Sequence, residues 1–167
     1  NGSFVTVVTN AGGGASRWRD LSITRWREDR TSDAGGQFLY LRDVRSGLLW
    51  SATYQPTCHE PEAYLATFSS EKAVFQRTDD GIETMLEVVV SVEDDVEVRR
   101  LSVTNTSDRA REIEITSYAE VVLARPEDDF AHPAFGKLFV ETEYLPDSAA
   151  LVCGRRPRSA SEPRAWA

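Results

Sequence analysis

Alternation of apolar and polar residues is the dominant pattern along the chain. From Ile82 to Val92 the even positions are nearly all apolar, whereas the odd positions include Glu83, Glu87 and Ser91. A period of two is typical of a strand with one buried face. The pattern therefore predicts a long, half-buried strand here. Further strand candidates, many of them rich in β-branched or aromatic residues, are 4–9, 22–27, 38–42, 48–53, 64–69, 73–78, 96–104, 111–123, 137–144 and 150–154.

Residues that favour turns stand where these runs stop. Arg45–Gly47, Thr78–Gly81, Glu93–Asp95 and Asn105–Asp108 offer Gly, Asn, Asp or Ser, which tolerate positive φ or form local side-chain turns. We therefore expect four hairpins at short spacing. The alternation changes phase across Arg99–Arg100, which predicts a β-bulge at that point.

Short strands joined by tight turns predict an all-β fold of two antiparallel sheets packed face to face, because parallel pairs need long crossovers. Residues 53–61 and 125–135 are Pro-rich, polar and too long for hairpin turns, so we expect ordered loops that carry binding groups. No segment has a helical stripe of useful length. We expect one β-sandwich domain over 1–154, followed by a linker or truncated segment over 155–167.

The overall charge limits the classes of partner. A net charge of −8 argues against binding to nucleic acid and to anionic membranes, which both need clustered Lys and Arg. No apolar run approaches the roughly 20 residues needed to cross a bilayer. The chain opens at Asn1 without a secretion signal, and we expect an excised fragment. Cys58 and Cys153 are too few for a disulfide scaffold, and we expect two buried or half-buried thiols.

Tryptophan, arginine and aspartate are concentrated between positions 17 and 27. A sugar site needs a flat apolar surface for the pyranose ring beside planar charged groups that hydrogen-bond its hydroxyls, and this composition supplies both. The alternative is that the two tryptophans are core residues flanked by solvated ion pairs. The candidate carbohydrate-binding residues, with three from the second loop, are Arg17, Trp18, Asp20, Arg25, Trp26, Arg27, Asp129, His132 and Phe135.

Other chemistries find little support. The acids of 79–80 and 93–95 lie in turns and are expected to be solvated rather than paired as in a glycosidase. The glycines at 12–14 lack the ending of a phosphate loop, and we expect a tight corner or a close backbone approach. Cys58, His59 and His132 lack the spacing of a metal site, and no nucleophile elbow is present. We therefore expect no metal, no cofactor and no catalytic residue.

A set of short motifs runs in order along nearly the whole chain. They are Thr9–Gly14, Ser16–Trp18, Thr24–Arg27, Leu39–Asp43, Trp50–Ser51, Gln55–Pro56, Val96–Arg100, Thr104–Asn105, Ser117–Leu123 and Ala131–Phe135. In this order they resemble the N-terminal sandwich domain of the cellobiose phosphorylase family. Within that family, the last two motifs are most similar to the phosphorylase-like region of bacterial cyclic β-1,2-glucan synthases.

The resemblance implies a galactose mutarotase-like supersandwich that precedes an (α/α)6 barrel. In the family the barrel holds the general acid and the phosphate-binding groups, so this chain is expected to be non-catalytic. It would bind carbohydrate and act as a scaffold in a cyclic β-1,2-glucan synthase, supporting phosphorolytic control of chain length by the barrel. The family's sandwich is longer, so some strands are expected to lie outside this chain.

The resemblance also implies partners and a location. The expected partners are a β-1,2-glucan or a related oligosaccharide, the barrel of the same parent, and a second copy in a homodimer. A membrane-bound parent would place the domain on the cytoplasmic side of the bacterial inner membrane, without direct membrane contact. The loop at 125–137 would reach towards the acceptor sugar, with Ala134–Phe135 where characterised phosphorylases have a Gln-Arg pair. The alternatives are an autonomous β-glucan-binding module and a structural dimerisation domain.

Overall fold

The computed structural model describes residues 1–27, 31–159, 162 and 164–167. Strands dominate these residues, and two short helices lie between β11 and β12. The helices are α1 (Pro126–Ala131) and α2 (Pro133–Lys137), and a 3₁₀ turn covers Pro146–Ser148. The strands are β1 (Phe4–Val8), β2 (Gly14–Trp18), β3 (Leu21–Thr24), β4 (Gln37–Asp43), β5 (Leu49–Ser51), β6 (Ala63–Phe68), β7 (Ala73–Asp79), β8 (Ile82–Val90), β9 (Glu97–Asn105), β10 (Ile113–Ala119), β11 (Val121–Ala124), β12 (Val140–Leu145), β13 (Ala150–Arg155) and β14 (Ala165–Trp166).

The described strands form four sheets in which neighbouring strands are antiparallel. Sheet I has the order β1-β2-β3-β11, and sheet II has the order β10-β4-β5. Sheet III has the order β6-β7-β8-β9, and sheet IV has the order β12-β13-β14. The prediction of an all-β, antiparallel fold is therefore confirmed.

The main core lies between sheets II and III. Leu41 of β4 pairs with Trp50 of β5, and Phe75 of β7 pairs with Leu86 of β8. These side chains are almost fully buried and belong to one apolar cluster. Burying each of them contributes about 1.5–3 kcal/mol to folding. The predicted buried face of β8 is confirmed from Ile82 to Val88, where Ile82, Thr84, Leu86 and Val88 are all buried, but Val92 is 84% exposed and Glu87 on the other face is buried.

The bulge predicted at Arg99–Arg100 is wrong. Strands β8 and β9 pair without interruption from Ile82 with Asn105 to Val90 with Glu97. The phase of the pattern changes because an ion pair of Glu97 and Arg99 occupies the inward positions of β9. Arg99 donates to the carbonyl oxygen of Gln37 at 2.7 Å. The pair therefore takes the place of apolar residues on the buried face.

Three of the four predicted turns connect paired strands, but the fourth does not form a hairpin. After Asn105 the chain leaves sheet III, and β10 pairs with β4 in sheet II. The predicted strand 111–123 is likewise divided at Glu120 into β10 and β11, which lie in different sheets. Both differences arise from pairing between distant segments, which local turn residues do not determine.

The glycine-rich segment forms a tight corner between β1 and β2, as one of the two interpretations of these glycines predicted. The N–H of Gly12 donates to the carbonyl oxygen of Thr9, and the N–H of Thr9 donates to that of Gly13. Gly14 has a φ of 155°, and a Cβ at this position would lie 2.0 Å from the carbonyl oxygen of Val7. The sequence pattern missed the strand that follows, because β2 begins inside the glycine run.

The loop predicted at 125–135 contains α1, and α2 begins within it and ends at Lys137, which is compatible with the absence of a helical stripe of useful length. At six and five residues, these helices are too short to carry a repeating apolar stripe. Among the described residues, none of the helices combines the length and apolar character needed to span a membrane. The thiol of Cys58 is exposed, contrary to expectation, and Cys153 is half-buried.

The domain boundary expected after residue 154 stays a prediction. Strand β13 continues to Arg155, and β14 pairs with it through Gly154 with Trp166 and Arg155 with Ala165. Residues 160, 161 and 163 of the expected linker lie outside the described residues.

A buried carboxylate closes the turn between β4 and β5. Asp43 is 2% exposed and accepts hydrogen bonds from the backbone N–H groups of Arg45 and Ser46, both at 2.8 Å. Arg111 donates to the same carboxylate at 2.5 Å. The hydrogen bond from Ser46 and the contact with Arg111 lower the pKa of Asp43 to about 2.

We predict that Asp43 makes the fold sensitive to acid. Its pKa is lower in the folded chain than the ordinary value of 3.8, so its stabilising contribution is present above about pH 4 and is lost as the pH falls towards 2. The free energy of unfolding, measured with urea between pH 2 and 7, should show wild type losing its advantage over Asp43→Asn in this window. A difference between the two proteins that is constant over the whole range would contradict the assignment.

Candidate functional site

Arg25 connects three separate parts of the chain. It follows β3 directly, and its backbone N–H donates to the carbonyl oxygen of Glu120 at 2.8 Å. Its Nε donates to both carboxylate oxygens of Asp129 in α1, at 3.1 and 2.9 Å. Nη1 contacts the carboxylate of Glu120, and Nη2 donates to the carbonyl oxygen of Pro133 at 3.3 Å. Arg25 therefore holds both helices against the end of sheet I.

The network around Arg25 is largely closed to solvent. The side chains of Arg25 and Asp129 are each 11% exposed. The hydrogen bond with Asp129 is the main cause that raises the pKa of Arg25, and the nearby charge of Glu120 adds to it. Lys137, in the last turn of α2, forms a second ion pair with Glu120 at 2.6 Å. A fork-shaped guanidinium matches this arrangement of two carboxylates and a carbonyl.

The outer surface of α1 and α2 is apolar. Phe130, Phe135 and Leu138 are 76%, 54% and 67% exposed. Phe135 packs edge-on against Phe139 with ring centroids 5.2 Å apart, and His132 is exposed between the two helices. Together with α1 and α2, these side chains make up what we call the helical loop. It presents an apolar surface outwards, over the polar network around Arg25.

Trp18 lies on β2, away from the helical loop. Its indole N–H donates to the carboxylate of Asp95, which also accepts a hydrogen bond from Ser3. These two hydrogen bonds, that of Ser3 first, lower the pKa of Asp95. The guanidinium of Arg19 lies over the Trp18 ring, 4.5 Å from its centroid. The orientation of the indole is therefore fixed from two sides.

Trp18 borders an open cleft of about 1320 Å³ between sheets I and IV. The floor of the cleft is formed by apolar residues of β3 and β11, including Leu21, Ile23 and Leu123. Asp20 lies at its edge and pairs with Arg125 at 3.1 Å. The opposite wall contains residues of β13, β14 and the segment between them, namely Arg155, Arg158, Glu162, Arg164 and Trp166.

The nine predicted sugar-site residues therefore do not form one cluster. Arg25, Arg27, Asp129, His132 and Phe135 lie at the helical loop, where Arg27 donates to the carbonyl oxygen of Asp129 at 3.4 Å. Trp18 and Asp20 lie at the cleft.

The other two predicted residues lie at neither place. The exposed side chain of Arg17 donates to the carbonyl oxygen of Arg19 at 3.3 Å. Trp26 is half-buried, and within the described part of the chain its indole N–H has no hydrogen-bond acceptor. Trp26 thus resembles the alternative of a packed aromatic more than Trp18 does.

Sequence reasoning missed the wall of the cleft that the described residues after Gly154 supply. Trp166 is 54% exposed, and the guanidinium of Arg164 lies 4.3 Å from its ring centroid. Arg155 is buried at 5% exposure, and its Nη1 donates to the carbonyl oxygens of Val122 and Gly136. A weak signal is present in the sequence, because Arg164 stands two positions before Trp166, whereas arginines are directly adjacent to Trp18 and Trp26. It was assigned to a linker because a two-residue strand has no periodicity.

One acid expected to be solvated is buried. Asp79 is 2% exposed and forms a fork-shaped ion pair with Arg77, with both contacts at 2.6 Å. Arg77 also donates to the carbonyl oxygens of Thr53 and His59. Asp79 faces inward because it ends a strand whose alternate residues are buried. This pair fixes the loop after β5 and has no access to a substrate.

The described residues contain no group of three or more His, Cys, Asp or Glu side chains placed to hold a metal ion together. The expectation that the chain needs no metal or cofactor stays a prediction. At the cleft and at the helical loop, aromatic rings are available for stacking, and paired charged side chains are available for hydrogen bonding.

An all-β chain of antiparallel sheets, with aromatic and charged side chains bordering an open cleft, has the architecture of a β-sandwich domain with a candidate ligand site. Comparison with known proteins identifies the particular family. The sequence model of the glycosyl hydrolase 94 supersandwich domain matches residues 1–167, and the chain belongs to this family. This confirms the resemblance found in the sequence.

The relatives are much longer proteins. Cyclic β-(1,2)-glucan synthase NdvB of Rhizobium meliloti (strain 1021) is 38% identical over 163 residues, which are 98% of this chain and 6% of that protein. N,N'-diacetylchitobiose phosphorylase of Vibrio proteolyticus is 28% identical over 148 residues, 86% of this chain and 18% of that one. Solabiose phosphorylase of Paenibacillus borealis is 26% identical over 132 residues, which are 79% of this chain and 16% of that protein. The chain therefore spans less than a fifth of each relative.

We predict that Arg25 keeps the helical loop ordered. In Arg25→Lys a single ammonium group replaces the fork-shaped guanidinium. The ammonium cannot bind Asp129, Glu120 and the carbonyl oxygen of Pro133 together. Leaving buried acceptors without donors costs about 1–3 kcal/mol, so backbone amides of 126–137 should exchange with deuterium roughly 5- to 150-fold faster.

The matched control is Arg27→Lys, because Arg27 is exposed and makes one long hydrogen bond to the same helix. The control should exchange at the wild-type rate, and amides of β8 should be unchanged in both variants. Equal exchange at 126–137 in Arg25→Lys and wild type would contradict the role of Arg25.

Proposed function

We propose that this chain is a non-catalytic carbohydrate-binding and scaffolding domain of a cyclic β-1,2-glucan synthase. In the proposed arrangement, a separate (α/α)6 barrel performs phosphorolysis of the glucan and so controls its length, while this domain shapes the approach of the sugar. The observation that carries the proposal is that the acids beside Trp18 and beside the helical loop are engaged by donors from the chain itself.

The state of these carboxylates argues against a catalytic role. A general acid in glycoside chemistry needs a raised pKa so that it holds a proton near neutral pH. At the cleft, hydrogen bonds from Ser3 and Trp18 lower the pKa of Asp95, and that of Glu162 is lowered mainly by the backbone N–H of Arg158. At the helical loop, both oxygens of Asp129 are held by Arg25. Such groups suit binding and positioning.

The family relatives support the rest of the proposal. A match over 98% of this chain is to a protein described as a cyclic β-(1,2)-glucan synthase, and two other relatives are described as phosphorylases. We infer a parent that polymerises and cyclises glucose units and is bound to the bacterial inner membrane, with this domain on its cytoplasmic side. The proposed neighbour of the helical loop is the barrel, since Phe130, Phe135 and Leu138 offer it an apolar surface.

Two other functions have an observation in their favour. The cleft between sheets I and IV would suit an autonomous β-glucan-binding module, because the exposed Phe130, Phe135 and Leu138 of the helical loop do not line it. The exposed apolar side chains of the helical loop would equally suit a dimer contact with a second copy. Only the dimer requires the solution mass of the isolated chain to rise with concentration, so this measurement separates it from the other two.

We predict that the isolated chain releases no sugar phosphate from β-1,2-gluco-oligosaccharides and inorganic phosphate, whereas the full-length parent does. In the parent, Phe135→Ala should lower kcat/KM for phosphorolysis by about tenfold, because it removes an anchor between the helical loop and the barrel. The control in the parent is Val92→Ala, an exposed residue in the turn between β8 and β9.

Sugar phosphate formed by the isolated chain would sink the non-catalytic part of the proposal. Wild-type phosphorolysis in a parent that carries Phe135→Ala together with Phe130→Ala and Leu138→Ala would sink the scaffolding part.

A further inference from the structure

The cleft between sheets I and IV has features of a binding site in its own right. Its apolar floor comes from β3 and β11, and two tryptophans stand on opposite walls, Trp18 on β2 and Trp166 on β14. Its volume of about 1320 Å³ exceeds the roughly 300–1,000 Å³ of ordinary small-molecule sites. The space therefore suits a ligand of several rings.

The charges around the cleft favour a neutral ligand. Arg158 pairs with Asp128 at 3.3 Å and with Glu162 at 3.4 Å, and Arg125 pairs with Asp20. Arginines and acids are thus interleaved, and no wall carries charge of a single sign that would concentrate phosphate. Paired groups of this kind still have free lone pairs and N–H groups, which hydrogen-bond hydroxyls.

Arg155 gives the cleft a fixed polar group at its base. Its Nη1 is held by the carbonyl oxygens of Val122 and Gly136, at 3.3 and 3.1 Å. In the described part of the chain its Nε has no acceptor, and the nearest carboxylate oxygen, of Glu162, is 4.0 Å away. A hydroxyl group both accepts and donates, so it matches the combination of the Arg155 N–H and the Glu162 carboxylate, two groups that both line the cleft.

The aromatic groups define the ligand further. Trp166 is 54% exposed, and the indole of Trp18 is fixed by Asp95 below it. Indole rings pack on the apolar faces of pyranose rings and leave the sugar hydroxyls free for neighbouring polar groups. Gly154 faces Trp166 across β13 and β14, and a Cβ there would lie 2.5 Å from the indole, so the position of this ring depends on the glycine.

We propose that this cleft binds a neutral β-linked gluco-oligosaccharide, with Trp18 and Trp166 stacked on separate sugar rings, at a site that borders the helical loop at Asp128 but does not include its exposed apolar side chains. The proposal rests on the proposed function for the choice of sugar. It adds a site that holds an intact chain away from the place where the barrel would act. A long glucan would then be held at two points, which raises its effective concentration at the second point.

The indole N–H signals of the 167-residue chain test this proposal directly. The chain has four tryptophans, at positions 18, 26, 50 and 166, and single Trp→Phe variants assign their signals in a ¹⁵N-labelled sample. On titration with sophorose and with a longer β-1,2-gluco-oligosaccharide, the signals of Trp18 and Trp166 should shift and saturate. The signal of the buried Trp50 should not move.

The same titration on variants locates the sugar. Trp166→Ala should weaken binding at least about tenfold, and Trp166→Phe should restore most of it, because a phenyl ring still stacks. Tyr144→Ala is the matched control, because Tyr144 is an exposed aromatic residue of β12 that does not line the cleft, and this variant should bind as wild type does. Trp166 is exposed at the surface, so its replacement leaves the core intact.

Three outcomes would overturn the cleft site. They are unshifted indole signals at millimolar oligosaccharide, binding that Trp166→Ala leaves unchanged or weakens no more than Tyr144→Ala does, and shifts produced by inorganic phosphate but not by sugar. None of these affects the phosphorolysis measurements on the parent, so the proposed function stands or falls separately.

Discussion

The burial of the facing sides of sheets II and III is the constraint on which the rest of the structure depends. Trp50 and Leu41 from one sheet meet Phe75 and Leu86 from the other, and all four are closed to water. Interiors are packed closely, so removal of a ring this large leaves a cavity that typically costs about 3–5 kcal/mol. This core holds sheets II and III together, and sheets I and IV and the helical loop are arranged around them.

Ion pairs at the margin of this core connect the sheets to one another. Glu97 and Arg99 on β9 reach Thr6 and Ser16 of sheet I and the backbone of Gln37 in sheet II. Burying charges costs desolvation, so these pairs determine which strands lie together more than they add stability. The helical loop is attached in the same manner by Arg25. Paired charges therefore connect the sheets and the helical loop. Glu97, Asp129 and Asp95 already accept hydrogen bonds from the chain itself in the absence of a ligand.

This use of charge explains how the fold leads to the function. Engaged carboxylates are poor proton donors, but they hold tryptophans and loops in fixed positions. Trp18 is oriented by Asp95, and the helical loop is oriented by Arg25 through Asp129. In the proposed function, such a domain binds a neutral sugar, and bond cleavage is performed by a separate part of the parent.

The sequence predicted those features that depend on local pattern. The alternation in β8 gave its buried face correctly, because a strand against a core must bury every second residue. The hairpin predicted at Asn105–Asp108 was wrong, since the pairing of β10 with β4 is decided by distant residues. Trp18 and Arg25 are seven positions apart yet belong to different surfaces, because the chain passes between them through β3. Trp166 was missed because its strand is two residues long.

A crystal structure of the chain soaked with both a β-1,2-gluco-oligosaccharide and inorganic phosphate tests the central claim most directly. The account predicts density for an intact oligosaccharide in the cleft between sheets I and IV, with rings against the indoles of Trp18 and Trp166. Density for a cleaved, phosphorylated sugar, or an empty cleft with the oligosaccharide bound elsewhere, would contradict it.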